Sequence, residues 1–199
     1  MNLTSEQVHW IFGAVLLAVT AALILRDAGH LRARWIDYFV PALLAAFGLE
    51  MLFDPLVHGD ALPANYAAET AQHFVLGLLL LGAAMAELMR TYRNGEGLLW
   101  RLPLAAALAV AAAAFWVHAQ HDSSAPMILL VTQHRMIAAT LAVAAVAALA
   151  GLGEGRPSRQ PPALAFLAVL LALELLVYTE GGSLFGTPWT EPMNMEASR

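Results

Sequence analysis

The sequence predicts an all-α integral membrane protein: a single-domain bundle of six transmembrane helices with both termini extracytoplasmic. Three observations predict it. Hydrophobic residues make up 60% of the 199 and charged residues only 13%, where an ordinary soluble domain carries roughly 25% charged residues. Six stretches are apolar over lengths near the ~20 residues that a membrane span requires. The arginines, finally, are confined almost entirely to alternate loops.

The first stretch, 8–25, follows a leader with no basic residue, and no small-residue cleavage site comes after it. It therefore reads as a permanent helix rather than a secretory signal. The second, 38–53, carries Pro41 near one end and Glu50 within it. The third, 70–89, follows Glu69 and includes His73. The fourth, 102–118, is alanine-rich and ends on His118. The fifth, 127–152, starts after Ser123 or Ser124 as N-cap, with Pro126 in the first turn. The sixth, 163–178, contains Glu174. The loops between them are too short to hold another domain, and no internal repeat stands out.

Orientation follows from the positive charges. The chain has no lysine; Arg26, Arg32 and Arg34 follow span 1, Arg90, Arg93 and Arg101 lie between spans 3 and 4, and Arg156 and Arg159 lie between spans 5 and 6. Positive loops stay cytoplasmic. The expected location is a bacterial-type cytoplasmic (inner) membrane, crossed several times. The net charge of −5 comes with no basic patch interleaved with aromatics, which argues against nucleic acid as a partner. With no cysteine in the chain, disulfides, thiolate metal sites, iron–sulfur clusters and cysteine nucleophiles are excluded.

Six of the seven histidines fall on the outer side: His9, His58, His73, His118, His121 and His134. His30 sits in an arginine-rich loop. Counting about 1.5 Å of rise per residue from the cytoplasmic helix ends places His9, His73, His118 and His134 at roughly 23–27 Å, and Glu50 and Glu174 at roughly 17–18 Å. Each helix thus contributes one ionisable side chain to a layer in the outer leaflet. An intramembrane carboxylate costs about 2.5–3.5 kcal/mol on insertion scales, so it faces inward and takes a partner. One turn beneath His9, His73, His118 and His134 lie Gly13, Gly77, Ala114 and Ala138, small residues that allow close helix approach or leave space for a ligand. On span 5, Ala138, Ala139, Ala142 and Ala145 are expected to face inward, with Met136, Ile137, Thr140 and Val143 toward lipid.

Two local constellations stand out. His118 and His121 are an i, i+3 pair at the end of span 4, with Asp122 next to His118 at i, i+4. A metal-ligand pair fits that spacing, with an acid to orient a ring nitrogen. The short turn brings Gln133, His134 and Arg135 back to the same level, and a buried Arg135 would need Glu50, Glu174 or Asp122 as its acid. The second constellation joins Glu50, Asp54 and His58 to Glu69 and His73 across the loop between spans 2 and 3. In having Asp54, then His58 four residues later, then a further histidine in His73, it resembles the C subunit of the copper membrane monooxygenases. That resemblance covers about 20 residues, with a longer second gap here, and it implies copper held by those three side chains.

The function expected first is a transition-metal site, with His73, His118, His134, Glu50 and Glu174 at its centre and His121, His9, Asp54 and His58 around it. Imidazole suits copper, zinc and iron. Copper is favoured by the outward location and by Met193 and Met195 near the C-terminus, since thioethers bind Cu(I). Such a site would serve metal handling or a redox metalloenzyme, with other membrane subunits or a periplasmic metal or redox partner. The alternative is one b-type haem between His73 and His118 or His134, exchanging electrons with quinone. A third reading is a non-catalytic accessory subunit or a small-solute transporter, although the spans lack the midplane breaks of transporters. No nucleophile–histidine arrangement, P-loop or dinucleotide fingerprint is present.

Overall fold

The computed structural model describes residues 4–57, 66–93, 102–117, 127–151 and 162–179, and among these residues the chain is all-helical. In order come α1 (Ser5–Asp27), a 3-10 turn (Arg34–Tyr38) running straight into α2 (Phe39–Val57), α3 (Tyr66–Tyr92), α4 (Leu102–Trp116), α5 (Met127–Ala150) and α6 (Pro162–Leu176).

Local chemistry sets the ends of α1. The Thr4 hydroxyl accepts from the Gln7 backbone N–H at 3.3 Å, and the Gln7 side chain accepts from the Thr4 N–H at 3.0 Å. This reciprocal capping box satisfies two donors that the first turn would leave open, so the helix starts three residues before the apolar run. At the other end Gly29 takes a φ of 82°. Its N–H bonds the Arg26 carbonyl, and the His30 N–H reaches back to the Leu25 carbonyl, each at 2.9 Å. Such a stop needs a left-handed residue, which glycine supplies without a Cβ clash.

Four segments are long and apolar enough to cross a membrane: Ser5–Asp27, Arg34–Phe53, Thr70–Tyr92 and Leu129–Ala150. α4 and α6 have 15 residues each, or about 22 Å of helix, short of a ~30 Å hydrocarbon core. The expected runs 102–118 and 163–178 are thus only partly regular helix. At the end of α6 the ladder tightens: Val177 N–H still bonds Leu173 O at 3.1 Å, but Tyr178 N–H bonds Leu175 O at 3.3 Å.

The helices pack mainly as antiparallel neighbours, α2 on α3, α4 on α5 and α1 on α6. Contacts of α5 with α6 and α3 with α4 join these pairs, and a lighter contact of α1 with α2 completes a ring in chain order. Glycines set the closest approaches. A β-carbon on Gly13 would lie 2.9 Å from the Ala172 carbonyl on α6, and one on Gly48 would lie 2.9 Å from the Gly77 carbonyl on α3. The α4–α5 seam relies on alanine instead, with Ala105, Ala107, Ala111, Ala112, Ala138, Ala144, Ala145 and Ala148 all buried. Small residues let helix backbones approach where lipid provides no hydrophobic drive. At the centre, Leu76, Ala111, Ala112, Ile137 and Leu141 form one apolar cluster.

Outside, the surface is apolar on every helix. Ile11, Phe53, Phe74, Met85, Val110, Val146 and Phe166 are among the large hydrophobic side chains left exposed. A soluble monomer rarely exposes such continuous apolar surface, whereas a lipid bilayer is the environment that covers it. At one end, Arg26 pairs with Asp27 at 2.7 Å and with Asp37 of the 3-10 turn, and the Thr91 hydroxyl reaches the Asp37 carbonyl at 3.5 Å. The arginine-bearing ends of α1 and α3 therefore meet at one end of the bundle. His9, His73 and His134 lie toward the other.

Candidate functional site

At the histidine end, α1 and α5 converge on Tyr178 and Thr179, just beyond α6. The Tyr178 ring stacks on His9 of α1, with centroids 3.8 Å apart and planes 14° apart. On another side it meets His134 of α5 edge to face at 5.7 Å. His134 in turn stacks on Phe115 of α4 at 5.8 Å. The Trp10 indole N–H donates to the Tyr178 carbonyl at 2.9 Å.

Thr179 is held on all its polar groups. Its N–H donates to Gln133 Oε1 at 2.9 Å, its carbonyl accepts from Gln133 Nε2 at 2.8 Å, and its hydroxyl donates to Glu6 Oε1 at 2.8 Å. Tyr178, Thr179 and His134 retain only 2%, 5% and 6% of their exposure. Burying a polar group costs unless it is bonded, and this latch satisfies the backbone where α6 ends. Nothing in the sequence ties Gln133 or Glu6 to Thr179. The one visible signal is an amphipathic tyrosine and a threonine closing an apolar run.

Both histidines present a defined nitrogen. His9 Nδ1 lies 2.8 Å from the Ser5 carbonyl, and His134 Nδ1 lies 2.8 Å from the Leu130 carbonyl. A carbonyl can only accept, so Nδ1 carries the proton, and Nε2 carries the lone pair in the neutral ring.

The two carboxylates of the layer sit at the rim of the apolar cluster, since their chain neighbours Met51 and Leu175 pack on it. Glu174 Oε1 accepts from the Thr140 hydroxyl of α5 at 2.8 Å, while its Oε2 is buried with no hydrogen bond among the described residues. Glu50, Glu174 and His73 are half-buried and His134 is buried, so none of these four points fully outward. The small residues under two histidines serve helix contact rather than ligand space. Gly13 meets α6, and a β-carbon on Gly77 would lie 2.8 Å from the Gly48 carbonyl.

Three expectations need correction. On α5, Ile137 and Thr140 are buried, while Ala139 and Ala142 are exposed beside Met136 and Val143. The inward face is turned toward Thr140 because Glu174 of α6 bonds it there. Arg135 is not a buried ion-pair partner: it is exposed, and its guanidinium lies over the Trp116 ring of α4, 5.4 Å from the centroid. Arg90, expected between spans 3 and 4, lies within α3. It is buried to 8% exposure, and its Nε and Nη2 both donate to Oε2 of Glu87, itself at 1%, at 2.9 and 2.7 Å. The i, i+3 spacing of Glu87 and Arg90 is the sequence signal for that pair.

His58, His118, His121, Asp122, Met193 and Met195, and the side chains of Asp54 and Glu69, lie outside the described residues. Among the described residues no group of three or more histidines and acids stands together as a metal site. His9 and His134 are brought to one place around Tyr178, and Glu174 is fixed on α5 below them. No family model, curated protein or solved structure matches this chain.

Proposed function

We propose that this protein is a six-span membrane protein, both termini extracytoplasmic, that binds a transition metal in the outer leaflet through imidazole. The observation that carries this reading is the fixed tautomer of His9 and His134. Metal-ligating histidines characteristically donate one ring N–H to a carbonyl or carboxylate, which orients the other nitrogen for the metal. Both rings do so here, each to the carbonyl one turn earlier on its own helix. His118 follows Phe115, the stacking partner of His134, by three residues in the chain. It is the next candidate ligand, with Glu174 below.

The six-span reading is supported by the outward faces of the two 15-residue helices. Phe166, Leu170 and Leu173 on α6 and Val110 on α4 are exposed, and such faces suit lipid on these helices as on the longer four. Copper is the first candidate metal, ahead of zinc and iron. Imidazole binds all three, the chain has no thiolate, and thioethers at Met193 and Met195 add Cu(I) affinity.

The deciding experiment is elemental analysis with an absorption spectrum on detergent-purified protein. Near-stoichiometric copper is expected, lost in His134→Ala and His118→Ala with insertion and folding retained, and reduced less in Glu174→Gln, whose amide keeps an oxygen ligand. Metal binding should weaken on acidification, because protons compete for imidazole. Wild-type protein without metal would overturn the proposal; a Soret band would replace it with the haem reading.

A further inference from the structure

Among the described residues, α5 carries a single charged side chain, Arg135, and α4 carries none. The outward surface of the two helices is otherwise apolar, with Val110, Val117, Met136, Val143 and Val146 exposed along it. Arg135 lies on this face at the histidine end, 16 residues before Gly151. That is about 24 Å along the helix, within a ~30 Å hydrocarbon core and near its edge. A bare guanidinium there is costly, and long cationic side chains near helix ends relieve the cost by reaching the headgroup level.

Trp116, 57% exposed, supports the arginine from one side. The guanidinium carbon sits 5.4 Å from the indole centroid, within the ~6 Å range of a cation–π contact. Among the described residues no hydrogen bond is made by the five N–H donors of the guanidinium, which radiate in its plane. Planar donors of this kind match two oxygens of a phosphate at once, and tryptophan is itself enriched at the membrane interface. An exposed cation, an aromatic platform and donors without a hydrogen bond among the described residues, on a face that otherwise meets acyl chains, together describe a seat for a lipid headgroup.

We infer that Arg135 and Trp116 form a binding site for the phosphate of a phospholipid in the leaflet at the histidine end. The inference rests on the bilayer placement of α5 and is independent of the metal. The acyl chains lie along the apolar face of α4 and α5, and the phosphate accepts from the guanidinium edge. Arg135→Lys keeps the charge but loses the fork, so it retains only part of the affinity.

The test is native mass spectrometry of detergent-purified wild type, R135Q and R135K with added dioleoylphosphatidylglycerol or dioleoylglycerol. A melting curve for each protein confirms that the exposed substitution leaves the fold intact. The wild type should retain phosphatidylglycerol, R135Q should bind it about tenfold more weakly, and R135K should lie between. Dioleoylglycerol, which lacks the phosphate, should not distinguish the three. Metal content should be unchanged in R135Q, which separates this site from the imidazole site. Equal phosphatidylglycerol retention by wild type and R135Q would overturn the inference. So would displacement of the lipid by millimolar inorganic phosphate, which would assign the site to a free anion.

Discussion

The crossing of α2 and α3 permits a controlled test of how tightly this bundle is assembled. A methyl group added by Gly77→Ala would lie 2.8 Å from the Gly48 carbonyl and 2.7 Å from Leu52 Cγ. Ordinary contact begins near 3.4 Å. The leucine side chain can turn aside, but the Gly48 carbonyl belongs to the α2 backbone, so the helices must part by about half an ångström. Forcing extra volume into a packed contact costs about 1–3 kcal/mol. The same substitution also favours helix in its own right, by about 0.8–1 kcal/mol. Gly82→Ala on the same helix isolates that term, since a β-carbon there meets nothing within 4 Å. Subtracting one variant from the other leaves the overlap alone, with Gly77→Ala the less stable by about 1–3 kcal/mol. Reversible unfolding in mixed micelles, titrated with denaturing detergent, measures both. Agreement of the two variants within about 0.5 kcal/mol, the usual scatter of inert substitutions, would refute the claim that Gly77 is there for backbone contact.

The remaining predictions concern charge. Glu87→Gln leaves the buried Arg90 guanidinium without its carboxylate and should cost about 3–5 kcal/mol; replacing both residues by leucine should cost less, and the same detergent titration reads each. Reporter fusions at Asn94, between α3 and α4, and at Ala64, between α2 and α3, should report opposite sides of the membrane because loop arginines set orientation. Reports from the same side would refute the six-span reading.

How much of this was legible in the chain depends on what kind of information each feature needs. The six helices could be read directly as apolar runs, and four of them are long enough to cross a membrane, because that property needs only composition and length. The start of α1 could be placed only by attending to Thr4 and Gln7, whose capping role lies in polar residues outside the apolar run. The inward face of α5 was half legible, right for Ala138, Ala145, Met136 and Val143 but not for Ile137, Ala139, Thr140 and Ala142, because an alanine-rich helix is apolar all round and its periodicity carries little phase; the Thr140–Glu174 bond supplies the phase from another helix. Gly77 was visible as a small residue under His73, but its partner Gly48 was not, since register between helices is written in neither one alone. The latch joins residues far apart in the chain, and of Tyr178 and Thr179 only Tyr178 lay within an expected span. Of the candidate layer, His9 and His134 meet around Tyr178, while Arg135 proved to be an outward residue because an aromatic ring, rather than an acid, stands beside it.

The pairing of α1 with α6 has a consequence for assembly. α2 with α3 and α4 with α5 are neighbours in the chain and can associate as each pair is made. α1 makes its main contact with the helix that comes last, and its seam includes the Gly13 approach to Ala172, the Trp10 bond to Tyr178 and the Thr179 bond to Glu6. Until α6 is made, α1 has its lighter contacts with the 3-10 turn and α2. Its most apolar stretch has the highest mean hydropathy among the four membrane-length segments, which suits contact with lipid in the meantime. A chain cut short before α6 would leave α1 without that seam.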